Sequence, residues 1–282
     1  MRKSCVAVAV LVLAFSVPVG AYFTAGEKMD QIKFDLGKNI HETARTSGAP
    51  KFATSNVAGL VSYSLTDIPD GIYFSFVRPG YEVRIPKAYS LTMYADKEHG
   101  AELSVETVTF MTSKKAIATH ESAQAYVESI VEQFQRGKWK RQLDPLCPAV
   151  MGRSSYLNEH GQIDQLGACP LDPQYRIPAE DWGALMHNPQ NYEWVGDDIL
   201  ARLSIGYIEG GLGLRYMINL DFDILEVKRA RDEKNLAREL SEGDANGWGS
   251  TEEMKKKATV LQKRVKDWEE SARQRGDFVI PR

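Results

Sequence analysis

The stretch from Ile199 to Leu225 constrains this chain more than any other. From Leu212 to Phe222 the residues alternate without interruption. Leu212, Leu214, Tyr216, Ile218, Leu220 and Phe222 fall on one side, and Gly213, Arg215, Met217, Asn219, Asp221 and Asp223 on the other. A period of two over that length defines a strand with one buried and one wetter face. Ile199, Ala201, Leu203, Ile205 and Tyr207 repeat the pattern upstream. Between the runs, Glu209-Gly210-Gly211 supplies the glycines that a tight hairpin turn needs for positive φ. The sequence therefore predicts a long antiparallel hairpin over 199–225 at the centre of an α+β fold.

The remaining chain supplies partners for that hairpin. Ile72 to Val77 is dense in aromatic and β-branched residues, and Tyr81, Val83 and Ile85 alternate with Glu82 and Arg84 until Pro86. A third strand is expected over Ala101–Met111. The period then changes: Ala123, Tyr126, Val127, Ile130, Val131 and Phe134 recur at steps of three and four, with Ser122 as the expected N-cap and Gly137 just past the end. Strands feeding such a helix give an α+β layer. The run Tyr81-Glu82-Val83-Arg84-Ile85-Pro86, the strand at Ala101–Met111 and the helix at Ser122–Gln135 together resemble the layout of PsbP-like domains, over about residues 71–140. That resemblance implies a small α/β/α sandwich that binds rather than catalyses.

Two helices are expected after the hairpin. Lys228–Glu242 carries mixed charges with Leu236 and Leu240, and should end at Gly243. Ser250 with Glu253 forms a capping-box pattern. Met254, Ala258, Leu261, Val265, Trp268 and Ala272 then form a stripe that should pack on the sheet, and Gly276 closes the helix.

At the other end, Arg2 and Lys3 precede an uncharged run from Ser4 to Gly26, with Pro18-Val19-Gly20-Ala21 as a small-residue cleavage site. Residues 1–21 read as a signal peptide or a membrane anchor. Either places the body in the periplasm, or on the inner membrane facing it. Met29, Ile32, Leu36 and Ile40 allow a short helix within a linker at 22–70, leaving 71–282 as the globular domain.

Asp144–Asp198 stands apart as an irregular segment, with Pro145, Pro148, Pro170, Pro173, Pro178 and Pro189 and little periodicity. Long irregular segments in compact domains are functional, disordered or pinned by a crosslink. Cys147 and Cys169 are the expected pin, as a disulfide in an oxidising compartment. Tyr156, Tyr175, Trp182, Tyr192 and Trp194 argue against disorder and are the expected partner-binding face, since tyrosine and tryptophan dominate interface hot spots.

Chemistry is harder to assemble. Ser154 and Ser155 lack the Gly-x-Ser-x-Gly elbow, and His41, His99, His120, His160 and His187 are scattered without a His-Glu-x-x-His pair. No catalytic residue, cofactor or metal is expected. Cys147, His160, Cys169 and His187 fit no zinc spacing, and Asn219, Asp221 and Asp223 read as a solvated strand edge before they read as a cation site. Trp139 among Arg136, Lys138, Lys140 and Arg141 reads as a basic helix terminus answering its macrodipole. A net charge of −3 with both signs interspersed gives no bulk attraction to nucleic acid. The expected function is therefore an envelope protein that binds and neutralises another protein, such as an immunity protein against a periplasm-delivered toxin. The alternatives are an envelope hydrolase using His160 or His187 as base, or a membrane-anchored assembly factor.

Overall fold

The computed structural model describes residues 31–49, 51–69, 71–86, 88–112, 117–158, 160–163, 169–211, 213–246 and 251–281. The expected signal or anchor over 1–21 lies outside them, as does Ser250. No helix among the described residues is long and apolar enough to cross a membrane.

The first departure from expectation comes at once. Ile32 and Phe34 are buried on one face of a strand, β1 (Gln31–Phe34), and the helix α1 begins only at Ile40 (Ile40–Thr46), capped by the Asn39 side chain. Ile32, Leu36 and Ile40 are spaced four apart, but Ile32, Phe34 and Leu36 also alternate, and the period of two wins because β1 finds a partner strand. Next come β2 (Ala53–Val57), β3 (Leu60–Leu65), β4 (Tyr73–Phe76), β5 (Val83–Ile85), β6 (Ala88–Asp96) and β7 (Thr107–Thr112). The stretch expected to be a linker thus contributes strands to the body. The expected third strand is confined to β7, and β6 is new. Its buried Leu91, Met93 and Ala95 alternate with Thr92 and Tyr94, too weak a polarity contrast to stand out.

Helix α2 (His120–Arg136) buries the same six side chains that the periodicity selects. Its N-cap is Thr119 rather than Ser122; the two hydroxyls form a reciprocal capping box with Ser122 at the third helical position. After β8 (Lys140–Arg141) the segment expected to be irregular carries a 3-10 turn at Gly152–Tyr156, a helix α3 (Ala179–Met186) and a strand β9 (Gln190–Gly196). The central hairpin is β10 (Ile199–Gly210) and β11 (Gly213–Ile224), paired from Ile199↔Ile224 to Gly210↔Gly213. Its reversal falls later than the Glu209–Gly211 reading. The ladder runs on to Gly210↔Gly213 because Gly213 accepts φ 83°. Asp197 and Asp198, at φ 48° and 60°, make the two-residue turn between β9 and β10.

Eight strands form one antiparallel sheet in the order β2-β3-β6-β7-β11-β10-β9-β8. A second sheet has the order β1-β4-β5, with β1 parallel to β4. The α+β class holds. The main core lies between the inner face of the large sheet and a cover of the small sheet and α2. Phe76 stacks on Phe222 at 4.9 Å, Phe34 meets Phe110 at 4.8 Å, and Phe134 lies flat on Trp194 at 4.0 Å. Trp139 joins this core, its indole donating to the Tyr81 carbonyl.

The outer face of the large sheet is polar. β11 is an interior strand, so its acids are not a solvated edge. Asp223 is buried and accepts from Thr107 Oγ1 at 2.6 Å and Arg231 Nη2 at 2.9 Å. Asp221 is half-buried, and burial raises its pKa above the usual carboxylate range, with Thr109 opposing and Asp223 adding to the shift.

Strand β11 passes directly into α4 (Leu225–Asn246), which continues through Gly243, and α5 (Thr251–Gln274) follows. The α5 stripe packs only at its C-terminal end. Val265, Trp268 and Ala272 are buried, whereas Ala258 and Leu261 are exposed and every side chain from Lys255 to Lys263 faces solvent. A helix of 24 residues is about 36 Å long and outlasts the surface beneath it.

Candidate functional site

The disulfide expected between Cys147 and Cys169 is present, with Cα atoms 5.5 Å apart. It fastens a wall built around Asp172. This buried carboxylate accepts from Gly152 N at 2.7 Å and Gln174 N at 3.0 Å, while its own backbone N–H donates to Ser155 Oγ at 3.2 Å. Arg141 ties the same wall to β8, donating to the Val150 and Pro170 carbonyls at 2.8 and 3.0 Å. Burial pulls the Arg141 pKa down, and the nearby Asp172 charge opposes that shift. A second node anchors α3. Arg153 grips Asp181 with two bonds of 2.9 and 3.1 Å, and Tyr156 Oη donates to the same carboxylate at 2.7 Å. The Arg153 bonds hold Asp181 below its usual range despite burial, and burial raises the Tyr156 hydroxyl pKa.

The five aromatic residues expected to face a partner do not do so. Tyr156, Trp182, Tyr192 and Trp194 are 2%, 1%, 4% and 2% exposed, and Tyr175 alone is half-buried. The reason is register. Tyr192 and Trp194 on β9 pair with Leu203 and Ala201 on β10, which puts both rings on the core face of the sheet under α2. Trp182 points from α3 into the same core and donates to Tyr216 Oη at 2.7 Å, and the Tyr216 hydroxyl meets His120 Nδ1 at 2.6 Å. The exposed aromatic face is overturned.

What the segment offers solvent instead is a cleft. One wall is the polar side of α2, where Glu121, Gln124, Glu128, Glu132 and Gln135 follow one another at steps of three and four. The other wall is Pro173–Ala179, stiffened by Pro173 and Pro178. Gln124 Nε2 reaches the Ile177 carbonyl at 2.8 Å, Arg176 Nε reaches Glu128 Oε1 at 3.0 Å, and Gln135 Nε2 donates to the Pro173 carbonyl. Between these bridges lie two adjoining hollows of about 260 and 350 Å3 that share Glu128, Arg176 and Ile177. Val127, Val131, Trp182 and Tyr192 line the first. The Tyr192 hydroxyl has no hydrogen-bond partner among the described residues, although the side chain is 4% exposed. The hydroxyl oxygen keeps contact with solvent in the hollow, so a ligand group that reached it would take the place of water.

Elsewhere the candidate chemistry stays dispersed. His160 sits in the turn closed by Asn158, and His187 follows α3 with its ring against Tyr207; neither ring bonds a serine or a carboxylate among the described residues. The disulfide removes both cysteines from the pool of metal ligands, and no group of three or more His, Cys, Asp or Glu that could hold a metal ion occurs among the described residues. Ser154 donates to Asp277 and Ser155 serves Asp172, so both act in the framework.

No family model, no curated protein and no solved structure matches this chain. The site must speak for itself. Of the residues that shape it, Tyr175, Trp182 and Tyr192 were marked by their aromatic character. Glu121, Glu128 and Glu132 were visible only as the polar side of an amphipathic helix. Arg176 and Gln174 carried no signal, because nothing in a sequence says which loop will face which helix.

Proposed function

We propose that this is an exported protein of the bacterial envelope that captures another protein along the cleft beside α2, as an immunity protein does when it neutralises a toxin delivered to the periplasm. The observation that carries this reading is the cleft itself. It combines a floor of Val127, Val131, Trp182 and Tyr192, an acidic rim, a tyrosine hydroxyl with no protein partner among the described residues and a far wall held by a disulfide and by prolines. A wall that is already rigid loses little conformational entropy when a partner docks. The basic n-region and apolar run at the N-terminus support export, and the layout likeness to PsbP-like binding modules points to binding in the same way. With an uncleaved N-terminal segment, the membrane is met only through that segment.

Photo-crosslinking in intact cells tests the reading. A crosslinking residue at Gln174 or Glu132 should give one discrete protein adduct, and the same residue at Thr54, on the exposed strand β2, should not. Adducts at all three positions, or none at Gln174 and Glu132, would remove the cleft as the capture site.

A further inference from the structure

We infer that the hollow between α2 and Pro173–Ile177 receives a cationic side chain, arginine or lysine, from the captured protein, and that Arg176 is the internal stand-in for it. This rests on the protein-capture reading and names what the cleft recognises. Three carboxylates, Glu121, Glu128 and Glu132, line the α2 side. Glu132 pairs with Arg136 on its own helix at 2.8 Å, but Glu128 is answered across the cleft by Arg176, whose side chain is 81% exposed. An ion pair with so exposed a member is weak and easily exchanged. The cleft thus displays in its resting form the pairing that a visiting guanidinium would make.

The floor fits the same ligand. Tyr175 stands half-buried at the side, a ring that favours a cation over an anion, while Trp182 and Tyr192 close the floor beneath it. The Tyr192 oxygen, which opens on the hollow, is free to accept an N–H from the incoming group. An anion using that hydroxyl as donor would meet the negative charges of Glu128 and Asp172, both of which act on the Tyr192 phenol.

The experiment titrates the full chain with N-acetyl-arginine amide and with its neutral isostere N-acetyl-citrulline amide, read by chemical-shift changes at the Trp182 indole. Arginine should bind and citrulline should not. Arg176→Ala should tighten arginine binding several-fold by vacating Glu128, and Tyr192→Phe should weaken it several-fold. If Tyr192→Phe lowers the melting temperature, Glu128→Gln on the rim replaces it and should weaken binding likewise. Equal binding of citrulline, or indifference of arginine to both Arg176→Ala and Glu128→Gln, overturns the inference. A protein adduct from Gln174 with no arginine response defeats the cation site and leaves capture standing. Arginine binding without any protein adduct keeps the cation site and defeats capture.

Discussion

Removing the Cys147–Cys169 bridge should cost this protein about 3 kcal/mol. The two cysteines are 22 residues apart, and closing a loop of that length removes entropy from the unfolded chain worth about 3.4 kcal/mol at 25 °C. The native ends of the loop are held independently. On one side Ala149 N donates to Glu269 Oε1 at 2.9 Å, Met151 N to the Phe278 carbonyl at 3.0 Å, and Ile280 N to the Ala149 carbonyl at 2.7 Å. On the other side stand the bonds to Asp172. The folded state should therefore relax little, and the loss should come from the unfolded ensemble. The assay is urea unfolding of Cys147→Ala/Cys169→Ala against the oxidised parent; with a slope of about 3 kcal/mol/M the midpoint should fall by about 1 M. A loss under about 1 kcal/mol would mean that the unfolded chain already keeps these residues close. A loss above about 5 would mean that the bridge, not the hydrogen bonds, shapes the native wall. Either result refutes the reasoning.

Truncation separates the two faces of β11. Ile218→Ala should cost about 2–5 kcal/mol and Asn219→Ala under about 1, by chemical denaturation, because Ile218 is 1% exposed and Asn219 half-buried. Asp221→Asn should raise the melting temperature at pH 7. An acid whose folded pKa is raised by burial costs stability once it ionises, and returns it as pH falls through that raised value. The advantage should vanish below about pH 4, where the unfolded carboxyl is protonated too; an advantage independent of pH would show that charge is not its cause. Gly196→Ala should destabilise by about 1–3 kcal/mol in thermal melts, since a Cβ there would stand 2.3 Å from Tyr81 Cε1 and 3.1 Å from Trp139 Cε3. Gly210→Ala, with open space around it, is the matched control.

Legibility followed contrast in the sequence. The hairpin could be read because Ile199–Tyr207 and Leu212–Phe222 alternate strongly, and α2 because six apolar residues recur at helical spacing. Strand β6 was hidden because Thr92, Met93, Tyr94 and Ala95 differ little in polarity. The disulfide was legible because the two cysteines fit no zinc spacing and the N-terminus was expected to direct export to an oxidising compartment. The aromatic face misled because residue type was taken for exposure. Burial of Tyr192 and Trp194 depends on β9 pairing with β10 through the Asp197-Asp198 turn, a pairing set by two positive-φ aspartates rather than by a glycine signal. The cleft was beyond reach for the same reason, since its far wall is placed by tertiary bonds to Asp172 and Asp181.

The large sheet is two four-stranded halves sewn together along β7 and β11. Thr107 and Asp223 meet at that seam across 116 residues of chain. During synthesis the first half must therefore wait, its β7 edge bare, until the last strand has emerged. A bare edge carrying Val108 and Phe110 is a template for any neighbouring strand. Refolding should accordingly be slow for a chain of this size, and its yield should fall steeply as concentration rises. The small sheet does not share the wait, because β1, β4 and β5 have all emerged by Ile85. No fragment that stops short of β11 holds the large sheet complete, so a nascent chain closes that sheet only once Ile224 has emerged.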